Sequence, residues 1–259
     1  LRSSLFKKGL LKGLQDYFLK KVISVKKDNI EARNADAREE LAGLKKFPDS
    51  QFVGIIKELG FRCELCARCC TKEFNDHVFL LDADLAVIRQ INPDSITPAP
   101  YYEFCDQKGR FYVSGYALKT KPDGSCIFLE NKRCKIYDSR PSICRVYPYM
   151  LHREADGSGK VDWRQISGLN EHGSYNSELE DSECKAIARE TRAYEEAYLT
   201  QMIGFFEAVE AHFKKNSLKH VQSIYDRKMR EFLKGKCELE VFVYYMGGFE
   251  KHTLKPDNG

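Results

Sequence analysis

Four cysteines within eight residues, Cys63, Cys66, Cys69 and Cys70, constrain this chain more than any other feature. Two-residue spacers let a backbone fold back so that successive sulfurs converge on one centre, as in zinc knuckles and ferredoxin loops. Cys126, Cys134 and Cys144 follow well downstream in SCIFLENKRCKIYDSRPSICRVYP. Metal chemistry explains such thiols better than disulfides do. Adjacent Cys69 and Cys70 make a poor pair, and no secretory leader is legible. Ten cysteines in 259 residues are also too sparse for a small disulfide scaffold. Reduced thiols in a cytoplasmic setting are therefore expected.

Cys63, Cys66 and Cys69 have the spacing of the first three ligands in a cubane-binding loop, whose fourth ligand comes from elsewhere. Cys70 is awkwardly placed for the same centre, because neighbouring side chains diverge; it is expected to serve a second centre or to stay as a nearby thiol. Cys126 and Cys134 are expected on the two arms of a hairpin, where opposed residues can share a metal. Cys144 follows Arg140-Pro141, the proline restricting the turn that carries it. Arg133, Arg140 and Arg145 stand beside these thiols. They either offset the negative charge of a thiolate-bound centre or form surface ion pairs with Glu130 or Asp138.

Seven clustered thiols exceed one tetrahedral site. Cys105 and Cys184 raise the total to nine, and the sequence leaves them open between ligand and core thiol. Cys237 reads as a buried structural thiol. Zinc sites commonly mix histidine with cysteine, yet only His77 and His152 lie near the clusters, and neither has ligand-like spacing. The thiol-only pattern favours an iron–sulfur centre, with zinc as the alternative.

The flanks read differently. Residues 1–60 form a basic helical arm: Leu10, Leu14, Tyr17, Phe18, Val22 and Val25 recur at helical spacing against a lysine face. Such a helix packs on its own domain, docks onto a protein partner or touches a membrane surface peripherally. Asn34 to Lys46, charged with sparse apolar positions, reads as a linker helix. Residues 61–176 form the cysteine-cluster domain of short strands and turns. In it His77 to Leu81 and Phe111 to Val113 are strand-like, Asp82 caps a helix through Ile91, Cys126 to Leu129 turns through Asn131-Lys132-Arg133 into Cys134 to Tyr137, and Asp156 to Gly159 is a surface loop. Residues 177–259 form a C-terminal helical segment packed on the core. It opens with a Ser177/Glu180 capping box, carries the stripe Ile187, Tyr194, Tyr198, Phe205, Val209 and Phe213, continues in a helix over about 217–234 and ends in a closing strand over 240–245. The fold class is α+β, a small cysteine-rich core of strands and turns flanked by helices.

CELCARCC at 63–70 and CIFLENKRCKIYDSRPSICRVYP at 126–148 together resemble the YkgJ-type CxxCxxCC family of zinc- or iron-chelating proteins, to which flagellin lysine-N-methylases are related. The resemblance covers about residues 61–150 and implies metal ligation by Cys63, Cys66, Cys69, Cys70, Cys126, Cys134 and Cys144. For the methylases it also implies an iron–sulfur centre beside methyl transfer. Gly247-Gly248 is too little to make an S-adenosylmethionine loop.

The expected function is that of an iron–sulfur protein with one or two clusters of the [4Fe–4S] type, acting in electron transfer or as a cluster-bearing subunit of a larger assembly. A lysine methyltransferase, with Tyr137, Tyr147 and Tyr149 shaping a channel, and a zinc-stabilised interaction module are the alternatives. A net charge of +4 is too weak to point to nucleic acid, and no apolar run is long enough to span a membrane. Hydrolase and phosphate-loop spacings are lacking.

Overall fold

The computed structural model describes residues 29–72, 76–149 and 173–256. The expected stripe between Leu10 and Val25, the Asp156 to Gly159 loop and His152 lie outside these residues. Helices α1 (Ile30–Lys46) and α2 (Asp49–Leu59) come first. The Asn29 carboxamide caps α1 by accepting from the Glu31 N–H at 2.9 Å. Helix α1 is not a linker. It packs along a 35-residue helix, Asp181–Lys215, whose length of about 52 Å makes it the spine of the molecule. Only Ala37 and Leu44 of α1 are fully buried, so cations do much of the docking. Arg192 donates to the carbonyls of Leu44 (2.6 Å) and Phe47 (2.8 Å), and the Arg33 guanidinium lies 4.9 Å from the Phe206 ring centroid. That docking by arginine explains why the apolar pattern of α1 is thin.

Helix α2 buries Phe52 and Ile56 against the same spine and stops at Gly60, whose φ of 49° is left-handed. A Cβ at Gly60 would meet the Ser177 carbonyl oxygen at 2.1 Å, so only glycine fits. Ser177 is the clamp here, its N–H donating to the Gly60 carbonyl at 3.0 Å. The spine accordingly begins at Asp181 with Glu180 as its N-cap, and the expected capping box does not form.

Between these helices lie β1 (Phe79–Leu80), α3 (Asp82–Ile91), β2 (Ile96–Pro98), β3 (Phe104–Cys105), β4 (Phe111–Val113), β5 (Tyr116–Leu118), β6 (Leu129–Glu130), β7 (Arg133–Cys134) and α4 (Ser142–Val146). The spine is α5, followed by α6 (Gln222–Leu233), β8 (Leu239–Tyr245) and β9 (Gly248–Leu254). One antiparallel sheet has the order β1-β5-β2; a second has the order β3-β4-β8-β9, and β6 pairs with β7 alone. Strand β8 lies parallel to β4 with Phe111 opposite Val241 and Val113 opposite Val243. All four of these side chains are fully buried, as parallel pairing inside a core demands.

Asp82 opens α3 as its first residue, and the cap is Leu81, whose N–H donates to the Asp84 carboxylate at 3.3 Å. The Asp82 carboxylate instead accepts from the Met246 N–H at 3.0 Å in the β8–β9 turn. Met246 and Gly247 both have positive φ, the mark of a tight two-residue hairpin. No helix among the described residues is long and apolar enough to cross a membrane.

Candidate metal centre

The first cysteine loop is stitched at both ends. Arg62 and Ser174 exchange backbone hydrogen bonds of 2.8 and 3.0 Å, Thr71 bridges Ser125, and the Cys126 N–H donates to the Cys70 carbonyl at 2.8 Å. The last bond ties the two cysteine stretches directly together. Inside the loop Leu65 and Ala67 adopt left-handed φ of 54° and 63°, and residues Arg68–Cys70 coil into a 3₁₀ turn. Among the described residues the N–H groups of Leu65, Cys66 and Ala67 donate to no backbone carbonyl.

The second stretch folds as a hairpin through Asn131 and Lys132, with φ of 50° and 60°. The register corrects one expectation: Leu129, not Cys126, lies opposite Cys134. Cys126 precedes the hairpin in a turn closed by the Leu129 N–H donating to its carbonyl at 2.9 Å. Cys144 rides on the short helix α4, entered through Pro141. Sequence reasoning missed what holds that helix. The buried Asp84 carboxylate accepts from the Ser142 N–H (3.0 Å) and the Ser142 hydroxyl (2.8 Å). Nothing in the spacing of an aspartate on α3 could have announced this.

All seven clustered thiols line one cavity of about 260 Å³, together with Phe61, His77, Tyr137, Arg140 and Thr191. Cys63 and Cys66 are exposed at its rim, and the other five are half-buried. Cys69 and Cys70 do not diverge as expected. The turn brings their side chains into a hydrogen bond, which, ahead of burial and the Cys69 charge, pushes the Cys70 thiol far up. Cys126 is pushed up to about 11, first by burial and then by the charges of Cys70 and Cys134. Cys144 rises for the same reasons, with Cys126, Cys70 and Cys134 as its neighbours, and burial likewise raises Cys134. Cys70 is thus coupled to both stretches, to Cys69 in the first and to Cys126, Cys134 and Cys144 in the second. Four thiols, Cys70, Cys126, Cys134 and Cys144, resist shedding their protons side by side, and a bound cation would favour their thiolate forms.

Cys105, Cys184 and Cys237 lie elsewhere. Cys105 and Cys184 are fully buried in apolar clusters, and Cys237 packs half-buried against the core with its thiol 3.8 Å from the Lys228 carbonyl. His77 faces the cavity but also pairs with Asp76 at 3.4 Å and stands edge-on to Tyr101. The three arginines part company. Arg133 is exposed on the hairpin, Arg145 is drawn to Glu190 at 2.7 Å, and Arg140 lies over the Tyr137 ring at 3.7 Å. The Tyr149 hydroxyl accepts from the Phe61 N–H at 3.1 Å, a packing role.

The donor set suits a soft transition metal: seven thiols and one imidazole facing one space, with carboxylates scarce. Among the described residues no three Cys, His, Asp or Glu side chains are gathered tightly enough to grip one ion directly. The sulfurs form the wall of a larger chamber.

These features define a cysteine-lined, metal-binding α+β protein. The chain belongs to the CxxCxxCC family, whose model, described as "Putative zinc- or iron-chelating domain", matches residues 62–196. It is also similar to an uncharacterized protein of Methanocaldococcus jannaschii, 33% identical over 111 residues, which are 42% of this chain and 55% of that relative. The match therefore spans only about half the length of the curated relative. No solved structure matches the chain.

Proposed function

We propose that the cavity holds iron–sulfur chemistry, one or two clusters of the [4Fe–4S] type, and that the chain serves in electron transfer or as a cluster-bearing subunit. The observation that carries this is the convergence of all seven clustered cysteines on one cavity, three more than one tetrahedral zinc site uses. Cys63, Cys66, Cys69, Cys70, Cys126, Cys134 and Cys144 would hold the metal. Two further features support the reading. The left-handed residues Leu65 and Ala67 leave N–H groups of the loop without backbone partners among the described residues, and successive N–H groups in such turns cradle anions, sulfur clusters among them. The exposed Cys63 and Cys66 put one edge of the chamber at the surface, where electrons can pass.

A bound cluster supplies one-electron chemistry. The chain's part is to bring the thiols together, to shield the inner face with Phe128, Ile143 and Val146, and to leave the rim open. A protein partner for the basic helix within residues 1–60, and a reducing, cytoplasmic compartment for ten free cysteines, complete the proposal. Strictly anaerobic purification followed by iron, acid-labile sulfide and zinc determination tests it. Iron and sulfide in equal amounts with visible absorbance are expected; stoichiometric zinc with neither iron nor sulfide overturns the reading.

A further inference from the structure

Two polar atoms buried in the lining of the cysteine cavity, Arg140 Nε and Thr191 Oγ1, have no hydrogen-bond partner among the described residues. Buried donors without acceptors are rare, and each calls for an explanation. Arg140 is partly exposed, yet its Nε is buried. Its guanidinium lies on the Tyr137 ring, its carbonyl accepts from Arg145 Nη1 at 2.9 Å, and Pro141 fixes the next residue. Arg145, five residues on, shows what a satisfied arginine looks like here: it donates to Glu190, to the Ser142 hydroxyl at 3.1 Å and to the Arg140 carbonyl. Of these two arginines, Arg140 alone keeps a buried donor without a partner among the described residues. Thr191 comes from the spine α5, an element without any cysteine of the two clusters.

A guanidinium repels a bare divalent cation but complements a centre that is anionic overall, with sulfur as acceptor. We infer that Arg140 is a positioning residue of the metal centre, donating its Nε–H to a sulfur of the cluster, with the Thr191 hydroxyl as a second donor from α5. This rests on the iron–sulfur reading above. Hydrogen bonds to cluster sulfurs and nearby charge set reduction potential. A cationic donor favours the reduced, more negative state, so its loss drives the potential down.

The test is a potentiometric titration of the anaerobic full-length protein. One electron from dithionite, itself oxidised to sulfite, enters the centre, and no protein bond forms or breaks. Arg140→Met is expected to lower the reduced-to-oxidised ratio at fixed potential roughly ten-fold, about 59 mV for a one-electron couple. Arg140→Lys, which keeps the charge without the planar donor, falls between Arg140→Met and the wild type. Thr191→Val, which removes only the hydroxyl, shifts the potential the same way by less. Should Arg140→Met lose its iron, Arg140→Lys and Thr191→Val decide, and wild-type potentials in both overturn the inference. Iron retained with an unmoved potential in Arg140→Met, even with a lowered Tm, marks a purely structural arginine and also overturns it. A wild-type protein without iron fails the underlying reading instead, so the two failures are distinct.

Discussion

The Asp84 carboxylate holds Ser142 by two hydrogen bonds, one from its N–H at 3.0 Å and one from its hydroxyl at 2.8 Å, and so fixes the first turn of the helix that carries Cys144. Removing that acceptor strands a buried donor at Leu81 and partly buried ones at Ser142. Asp84→Ala should cost about 2–3 kcal/mol in urea unfolding. It should also lower metal content per chain, whereas Asp84→Asn, which keeps an acceptor for Ser142, should recover most of both. Unchanged metal content in Asp84→Ala would separate Cys144 from the centre.

Exposure does not make a cysteine dispensable. Cys66→Ala is expected to abolish visible absorbance although its side chain stands at the rim, and Cys237→Ala to leave the spectrum unchanged because its thiol lies against the Lys228 carbonyl. Ultraviolet–visible spectra of the two anaerobic variants, normalised to protein, decide the matter.

Alkylation of metal-free protein should follow burial and charge. At pH 8 iodoacetamide reaches the exposed Cys63 and Cys66, while Cys126, pushed up to about 11, stays protonated and slow. Because the folded value is raised, thiolate at Cys126 appears only as pH climbs towards it, and metal uptake should release protons and strengthen as pH rises. Peptide mapping of the modified chain gives the order; early labelling of Cys126 would contradict it.

Ala67 sits at a φ of 63°, where a side chain costs about 1 kcal/mol. Ala67→Gly relieves that strain but frees the unfolded chain by a similar amount, so stability should move by less than about 0.5 kcal/mol. The β-branched Ala67→Val should destabilise by more than about 1 kcal/mol and reduce metal loading. Equal loading in the two variants would show that the loop conformation is unimportant.

Acid should weaken the sheet edge at β9. Burial holds His252 below its ordinary value, while its Nε2 stands 2.6 Å from the Tyr116 hydroxyl. The unfolded chain takes up this proton near pH 6.5 and the folded one refuses it, so stability falls as pH drops through that range. For Glu250, burial is outweighed by hydrogen bonds from Arg89 and Tyr116, which hold its carboxyl low. Its contribution, present above the unfolded carboxylate value, is lost at still lower pH. Melting temperatures at pH 7.5 and 5.5 should differ less in His252→Gln than in the wild type.

Local chemistry was readable in the sequence wherever one segment sufficed to specify it. Asn131 and Lys132 announced their turn, the apolar stripe of α5 announced its buried face, and the cysteine spacing announced a thiol chamber. What needed two segments was hidden. The hairpin register that sets Leu129 against Cys134 depends on turn length, and the Ser177 clamp on Gly60 removed a cap that Glu180 seemed to complete. Strand β9, Gly248–Leu254, escaped notice because GFEKHTL is half-exposed and mostly polar, so it lacks the apolar pattern of its partner β8. Helix α1 looked like a connector because it buries only Ala37 and Leu44 fully and relies on arginines for much of its docking.

The parallel pairing of Phe111–Val113 with Val241–Val243 carries a consequence for biogenesis. During synthesis both cysteine stretches leave the ribosome long before the strand that completes the sheet beside them. A nascent chain halted before Leu239 therefore already presents every chamber thiol while one side of its central strand is still bare.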